Sequence, residues 1–331
     1  MTKKTILITG AGGQIGSVLS KALRKAYGAN AVLATDIRSA ELGEGPFELL
    51  DVLNGNRLHE LVKRYRVTQI YHLAAILSAR GEQNPKIAWD INMDSLFNVL
   101  DVAKEHKLKV FFPSSIAAFG PNTPKQNTPQ ETITQPTTVY GISKAAGENW
   151  CQYYHLKYGI DVRSVRFPGI IGYQSLPGGG TTDYAVDIYH KAVLGESFSC
   201  FLRDDTRLPM LYMDDAIQGV LQLMDAPSDQ LSVRTSYNLA GVSFTPAEIT
   251  AEIQRHIPTF SISYAPDFRQ TIADSWPQSI DDQAARADWK WQPQFDLARM
   301  TTDMLSHLQE TYLVEELKSL GLKSLGLKSF R

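Results

Sequence analysis

The stretch "TILITGAGGQIGSVLSKAL", residues 5–23, decides the fold. Its first five residues form an apolar run that leads directly into Gly10, Gly13 and Gly16, and apolar residues then recur at helical spacing. Glycines at these positions permit a tight turn, let the backbone approach a pyrophosphate and let the following helix pack on the strand. We therefore predict a phosphate-binding turn at the N-terminus of a helix over 13–27.

Strands and helices alternate along the first half of the chain. The sequence pattern predicts strands at 5–9, 31–36, 68–75, 109–115 and 162–167, and helices at 13–27, 55–65, 86–106 and 139–158. This alternation is typical of an α/β fold with a Rossmann-like, doubly wound parallel sheet. Because the crossovers are right-handed, the carboxyl ends of the strands meet at one edge, where ligands bind.

The second half of the chain is less regular and richer in proline. We predict a Rossmann domain over 1–170, to which a segment at about 211–240 returns, and a smaller C-terminal α/β substrate-binding domain formed by 171–210 and 241–316. The last residues, 317–331, repeat an "LKSLG" unit, and we interpret them as a non-native tail outside the fold.

Composition and charge exclude several classes of protein. The chain has 331 residues, of which 43% are hydrophobic, and its formal net charge is −2. This balance argues against a nucleic-acid partner, and no run of about 18 apolar residues predicts a membrane span. Cys151 and Cys200 lack the spacing of metal ligands, so we expect reduced thiols in a cytoplasmic protein without a bound metal.

Asp36 indicates which dinucleotide binds. It ends the predicted second strand about twenty residues after Gly16, where a carboxylate accepts hydrogen bonds from the ribose hydroxyls of NAD. The same carboxylate would repel the 2′-phosphate of NADP, whereas Arg38 is a counter-signal because an arginine can accept that phosphate. "LDV" (50–52) is predicted to end a third strand, where Asp51 could approach the adenine amino group. NAD is the cofactor that this pattern favours.

A tyrosine and a lysine form the second chemical signal. Tyr140 and Lys144 stand four residues apart on a predicted helix, so both project from one face. An ammonium about 4 Å away, at an effective dielectric near 20, would contribute roughly 4 kcal/mol and lower the tyrosine pKa by about three units toward neutrality. Ser115 ends the preceding strand and could hold a substrate oxygen against the phenol. Taken alone, the pair could equally be a surface pair.

Gly10, Gly13, Gly16, Asp36, Ser115, Tyr140 and Lys144, in this order, resemble the extended short-chain dehydrogenase/reductase superfamily over about 4–310. The resemblance implies an oxidoreductase with a Ser–Tyr–Lys catalytic group, and commonly a homodimer packed through helices that include the Tyr–Lys helix. The expected NAD contacts are Gly10, Gly13, Gln14, Ile15, Gly16, Asp36, Ile37, Arg38, Asp51, Val52, Leu73, Ala74, Ala75, Tyr140, Lys144 and Ile170.

Within that superfamily, four stretches are similar to the short-chain-type L-threonine 3-dehydrogenases: "LSARGE" (77–82), "SSIAAFGP" (114–121), "GGGTTDYAVDIY" (178–189) and "DSWP" (274–277). The similarity implies metal-independent oxidation of the L-threonine β-hydroxyl to 2-amino-3-oxobutanoate, a step of threonine catabolism toward glycine or aminoacetone. The implied substrate contacts are Ser78, Ser115, Tyr140, Thr181, Thr182, Asp183 and Trp276.

The charges of a free amino acid suit the turn at 178–183. The N-terminus of a helix predicted over 181–194, with the hydroxyls of Thr181 and Thr182, suits a carboxylate, and Asp183 could face the ammonium. Burying either charge unpaired would be costly. Helix capping is the alternative explanation for Asp183, and core packing is the alternative for Trp276.

Two other functions share the Rossmann half. A nucleotide-sugar epimerase or dehydratase is the nearest alternative, but "RFPGIIG" (166–172) lacks the asparagine turn expected after the sixth strand. "TRLPMLYMDD" (206–215) also lacks an acid after Arg207, where those enzymes tend to bind the second diphosphate. A non-catalytic NAD-binding protein is the third possibility, and the intact Tyr140–Lys144 pair argues against it.

Overall fold

The computed structural model describes residues 4–319. The tail predicted over 317–331 lies outside these residues except for its first three, which continue the last helix. Within 4–319, no helix is both long and apolar enough to cross a membrane.

Twelve strands and eleven α-helices make up the described chain. The strands are β1 (Ile6–Thr9), β2 (Val32–Asp36), β3 (Phe47–Leu49), β4 (Gln69–His72), β5 (Lys109–Ser115), β6 (Val162–Phe167), β7 (Gly169–Ile171), β8 (Phe198–Cys200), β9 (Leu208–Tyr212), β10 (Tyr237–Asn238), β11 (Val242–Phe244) and β12 (Ile262–Tyr264). The helices are α1 (Gln14–Tyr27), α2 (Gly55–Tyr65), α3 (Ser78–Gln83), α4 (Pro85–His106), α5 (Val139–Tyr158), α6 (Tyr184–Val193), α7 (Met213–Asp225), α8 (Pro246–His256), α9 (Arg269–Asp274), α10 (Gln283–Trp289) and α11 (Leu297–Ser319).

A seven-stranded parallel sheet in the order β10-β6-β5-β4-β1-β2-β3 forms the centre of the molecule. The order reverses between β1 and β4, and helices flank the sheet. The predicted fold class, a Rossmann-like doubly wound α/β fold, is confirmed. All seven carboxyl ends meet at one edge, which is where such folds bind their ligands.

Local signals place the helices that matter for the site. α5 begins after Thr138, whose hydroxyl accepts a hydrogen bond from the amide of Gly141 at 3.1 Å, and it ends at Gly159 in the left-handed conformation. Asn54 caps α2 in the same way through the amide of Arg57 at 3.0 Å. Side-chain oxygens at N-caps satisfy amides that the first helical turn leaves free. Both helices therefore occupy the predicted ranges.

Two smaller sheets, β11-β9-β7 and β12-β8, lie beyond the central sheet. A second apolar core joins α6, α8 and α11 to these strands, and Trp276 belongs to it. α7, within the segment 211–240, packs against α1. Trp289 and Trp291, within the predicted cap segment 241–316, pack into the Rossmann core instead. The exact domain division stays a prediction.

Candidate functional site

A cleft opens at the carboxyl edge of the central sheet. Its lining brings together most of the predicted contacts: Gly10, Gly13, Gln14, Ile15, Gly16, Leu73, Ala75, Ser78, Ser115, Tyr140, Lys144, Ile170, Thr181, Thr182, Asp183 and Trp276. Six predicted cofactor contacts do not line it: Asp36, Ile37, Arg38, Asp51, Val52 and Ala74. The cleft therefore joins the glycine turn, the Tyr–Lys helix and the Thr-Thr-Asp turn in one space.

The glycine turn is shaped by close backbone approaches. Gly10 has φ +69°, and a Cβ there would lie 2.7 Å from the amide nitrogen of Ala74. A Cβ at Gly16 would collide with the carbonyl oxygen of Gly10. Gly13 is the N-cap of α1, and no side chain caps this helix. The first amides of α1 are therefore free to meet phosphate oxygens, which is how a Rossmann turn holds a dinucleotide.

Asp36 is fixed beside this turn although it does not line the cleft. Its Oδ2 accepts a hydrogen bond from the amide of Gly12 at 2.9 Å, and its Oδ1 accepts one from the amide of Arg38 at 3.3 Å. The carboxylate thus stands at the end of β2, where NAD ribose hydroxyls would reach it. Ile37 and Arg38 are exposed just beyond it.

The structure does not bring Asp51 and Val52 into the cleft. The third strand ends at Leu49, earlier than expected, so both residues lie in the turn that leads to α2. Asp51 Oδ1 accepts from the amide of Leu53 at 3.0 Å, and the carbonyl of Val52 accepts from Asn98 Nδ2 at 2.9 Å. Their part in adenine binding stays a prediction.

The residues predicted to be catalytic, Ser115, Tyr140 and Lys144, lie where β5 meets α5, and we call this place the catalytic corner. Lys144 is buried, and its Nζ donates to the carbonyl oxygen of Pro113 at 2.7 Å. The same ammonium lies 5.4 Å from the centroid of the Tyr140 ring. Ser115 ends β5, and its Oγ accepts from the amide of Ala117 at 3.2 Å. A serine hydroxyl, a phenol and a lysine cation therefore share one buried corner.

The pKa values of this corner differ from the sequence-based expectation. Burial raises the pKa of Tyr140 to about 12, although a hydrogen bond with Ser115 opposes the rise. Burial lowers the pKa of Lys144 to about 8, against the opposing effects of Cys151 and Glu148. The expectation that Lys144 brings the phenol close to neutrality is wrong for the protein alone, because desolvation outweighs an ammonium directed at Pro113.

The opposite wall of the cleft is the turn before α6. The side chain of Thr181 is buried, with 1% of its surface exposed, and its Oγ1 has no hydrogen-bond partner among the described residues. Asp183 precedes α6, but its carboxylate does not cap the helix and instead accepts from the amide of Gly180 at 2.8 Å. Helix capping therefore does not explain Asp183. α6 begins at Tyr184, three residues later than predicted, because this turn precedes it.

Ser78 and Trp276 complete the cleft. Ser78 is the first residue of α3 and is buried. Trp276 is also buried, and it belongs both to the second apolar core and to the cleft lining. The two interpretations of Trp276, as a core residue and as a pocket residue, are therefore compatible.

The sequence of this chain matches the model of the NAD dependent epimerase/dehydratase family over residues 6–240. The chain belongs to this family. A GalE-like L-threonine dehydrogenase from Cupriavidus necator, solved in its holo form, is 55% identical with a TM-score of 0.90, over 92% of this chain and 99% of that one. A monomeric L-threonine 3-dehydrogenase from a metagenome is 46% identical with a TM-score of 0.90, over 93% and 99%.

A curated relative of this family, an uncharacterized epimerase/dehydratase from Staphylococcus haemolyticus, is 51% identical over 310 residues, 92% of this chain and 98% of the relative. The family is NAD-dependent, and NAD is the cofactor of this chain. The glycine turn, the uncapped start of α1 and the fixed carboxylate of Asp36 fit that cofactor. The chain is thus an NAD-dependent oxidoreductase of the short-chain type.

The charged side chains that line the cleft bear on whether a sugar nucleotide could bind there. Among the described residues that line the cleft, Lys144 is the only lysine or arginine. Arg207 is directed elsewhere: its Nη1 donates to the carbonyl of Ser243 at 2.8 Å, and its Nη2 pairs with Glu248. The diphosphate of a sugar nucleotide, bound beside NAD, would therefore meet no cation among the described lining residues other than Lys144.

Several cleft residues escaped the sequence analysis: Leu77, Pro113, Ser114, Ile116, Phe167, Pro168, Gly169 and Gly180. Pro168 and Gly169 directly follow β6. Their position at the carboxyl end of a parallel strand, where such folds bind ligands, could have indicated that they line the cleft. Gly169 is required because a Cβ there would lie 2.8 Å from the Cβ of Thr182. The residues after β6 therefore pack directly against the turn at 178–183.

One group of side chains in the described chain has the spacing of metal ligands: His59, Glu105 and His106. These residues lie on α2 and at the end of α4, and none of them lines the cleft. This cluster is therefore separate from the cleft.

Proposed function

We propose that the chain oxidises the β-hydroxyl of L-threonine to 2-amino-3-oxobutanoate with NAD. The observation that carries this proposal is the Thr181 hydroxyl, which is buried without a partner in the same cleft as Ser115, Tyr140 and Lys144. Buried hydroxyls without partners are rare in native proteins, so a polar ligand group is expected to meet this one. The L-threonine dehydrogenases with similar structures support the same substrate.

The distribution of charge suits a small zwitterion. Thr181 and Thr182 offer hydroxyls to a carboxylate, and Asp183 offers a carboxylate to an ammonium. Because both charges of the amino acid would be satisfied within one short turn, neither would be buried unpaired. The cleft would then act in threonine catabolism.

The residues of the catalytic corner have distinct parts in the reaction. Ser115 and Tyr140 hold the β-hydroxyl, and Tyr140 as phenolate removes its proton. Because burial raises the pKa of Tyr140, its phenolate would depend on the charge of Lys144 together with the positive charge of the oxidised nicotinamide, whose ribose Lys144 would hold. Gly10, Gly13 and Gly16 would hold the pyrophosphate of NAD, and the nicotinamide of bound NAD would supply the hydride acceptor. The product keeps the amino and carboxylate groups of the substrate.

The experiment that tests the function is an absorbance assay for NADH. Purified protein is incubated with NAD and either L-threonine or a UDP-sugar. We expect NADH to accumulate with L-threonine only, since an epimerase returns the hydride to its substrate. Absence of NADH with L-threonine, together with interconversion of the UDP-sugar, would establish the epimerase alternative instead.

We also propose a homodimer that packs through helices that include α5. α5 exposes Ile142, Trp150, Tyr153 and Leu156, the last with 74% of its surface exposed. Apolar patches of this kind are typical of protein interfaces. The metagenome relative is described as monomeric, so sedimentation of the wild-type protein and of a Trp150→Glu/Leu156→Glu variant is the test. A wild-type monomer would refute the proposal.

A cytoplasmic location is the last part of the proposal. Cys151 and Cys200 are both free and buried, as expected where thiols stay reduced. Fractionation of the host cell with an antibody to the protein tests the location, and recovery in a secreted or membrane fraction would contradict it.

A further inference from the structure

A buried ion pair lies directly behind the catalytic corner. Arg166 on β6 donates to Glu148 on α5 through Nη2 to Oε2 at 2.7 Å and through Nε to Oε1 at 2.9 Å. Only 5% of the Arg166 side chain and 4% of the Glu148 side chain are exposed. Neither residue stands out in the sequence, because the two are 18 positions apart and meet only when α5 packs on the sheet.

All parts of this pair are hydrogen-bonded. Ser114 Oγ donates to Glu148 Oε1 at 2.5 Å, and Arg166 Nη1 donates to the carbonyl of Gln130 at 3.1 Å and to Asn238 Oδ1 at 3.0 Å. Burying two charges carries a desolvation cost, and apolar residues of similar volume often stabilise a core as well. Stability alone therefore does not explain why the pair is there.

The pair is coupled to the catalytic residues through two elements. Glu148 stands one helical turn after Lys144 on α5, so both side chains project toward β5. Along β5, the carbonyl of Pro113 accepts from Lys144, the hydroxyl of Ser114 donates to Glu148, and Ser115 faces the cleft. Each of the last three residues of β5 is thus tied to α5 or to the cleft.

The network also reaches the substrate side. Asn238 Nδ2 donates to the carbonyl of Thr128 at 3.1 Å and to the carbonyl of Asp281 at 3.0 Å. The amide of Thr128 donates in turn to the carbonyl of Ser279 at 3.0 Å. The segment that carries Trp276 is therefore anchored to the same ion pair.

Within the described chain, the titratable groups that surround Lys144 or its neighbour Glu148 come from three elements. Tyr140, Glu148 and Cys151 lie on α5, and His72 lies on β4. Arg166 on β6 contacts Glu148. Burial raises the pKa of Cys151 and lowers that of His72 to about 3, so both are neutral at physiological pH. Glu148 is then the anion that opposes the loss of the Lys144 proton.

We propose that Glu148 is a positioning residue whose carboxylate, held by Arg166 and Ser114, keeps Lys144 cationic and fixes the end of β5 against α5. The inference rests on NAD dependence and on the contact of Lys144 with the cofactor, not on the identity of the substrate. NADH binding therefore tests it even if L-threonine is not oxidised.

The test compares Glu148→Gln with Arg166→Lys by NADH fluorescence titrations across the pH range. We expect Lys144 of the wild type to lose its proton as the pH rises through its pKa of about 8, and we expect NADH affinity to fall with it. Glu148→Gln removes the anion, so we expect the midpoint of this loss to move down by about one pH unit. Arg166→Lys disturbs the same hydrogen bonds but keeps both charges, so its midpoint should stay at the wild-type value.

The thermal midpoints of both variants separate positioning from stability. We expect both to fall, whereas only Glu148→Gln shifts the pH midpoint. If Glu148→Gln does not fold, a Glu148→Gln/Arg166→Gln variant replaces the ion pair with neutral amides, and its pH midpoint should still lie below that of the wild type. Equal pH midpoints in all folded variants, or equal shifts in Glu148→Gln and Arg166→Lys, would overturn the proposal.

Discussion

The catalytic side of the cleft, around Tyr140, and the substrate side, around Thr181, differ in how their polar groups are satisfied. Lys144 donates to Pro113 and the Ser115 hydroxyl accepts from Ala117, so the catalytic side is held by the protein itself. On the substrate side, the buried Thr181 hydroxyl has no hydrogen-bond partner within residues 4–319. In the proposed reaction, packed elements hold the catalytic groups, while substrate recognition uses a hydroxyl that the described chain leaves unsatisfied.

The largest effect is expected from Tyr140→Phe. This change removes the proposed base, so turnover should fall by about 10²–10⁴-fold or more, while NAD affinity stays close to wild type. Steady-state rates and NADH titrations measure the two quantities. Tyr65→Phe on α2, which does not line the cleft, is the matched control. Turnover of Tyr140→Phe at the wild-type rate would remove Tyr140 from the role of base.

Asp183→Asn tests the charge on the substrate side. Asparagine can still accept from the amide of Gly180, but it offers no charge to an ammonium, so kcat/KM for L-threonine should fall by about 10–100-fold. NAD affinity should not change. Asp187→Asn on the first turn of α6 is the control, since Asp187 does not line the cleft. If Asp183→Asn alters only the thermal midpoint, Asp183 is structural.

Asp36→Asn tests the cofactor end of the cleft. Loss of the carboxylate should weaken NAD and admit NADP, which changes the NAD/NADP ratio of kcat/KM by about tenfold. Asp51→Asn is the comparison, and the structure predicts no change for it because Asp51 lies in the turn after β3. A change of the ratio in Asp51→Asn but not in Asp36→Asn would reverse this assignment.

The smallest effect is expected from Thr181→Val, which removes a hydroxyl at nearly constant volume. Because Oγ1 has no partner in the protein, the thermal midpoint should stay equal or rise. The KM for L-threonine should increase by about 2–10-fold, the value of one hydrogen bond. A lower thermal midpoint with an unchanged KM would show that the hydroxyl serves the fold and would remove the contrast between the two sides.

Much of the fold could be predicted from the sequence because local signals were strong. α2 and α5 occupy their predicted ranges, since Asn54 and Thr138 cap them and Gly159 ends α5. The start of α6 was predicted three residues early, because periodicity cannot show that Asp183 binds the amide of Gly180. A local turn of this kind leaves no mark on the spacing of the apolar residues.

Much of the cleft lining could be predicted from the sequence, but its electrostatics could not. Spacing placed Tyr140 and Lys144 on one helical face, and the structure brings both into the cleft. Spacing could not show that burial raises the pKa of Tyr140, nor that Arg166 on β6 pairs with Glu148 on α5. Desolvation and distant pairs arise only from packing, so the sequence alone could not reveal them.

The most direct measurement of the proposed reaction uses L-threonine carrying deuterium at its β-carbon. The protein is incubated with this substrate and NAD, and the NADH formed is analysed by mass spectrometry. We predict that the deuterium appears in NADH and that Tyr140→Phe forms almost none of it. NADH without deuterium, or no NADH from L-threonine, would contradict the proposal that this cleft transfers the β-hydride of an amino acid.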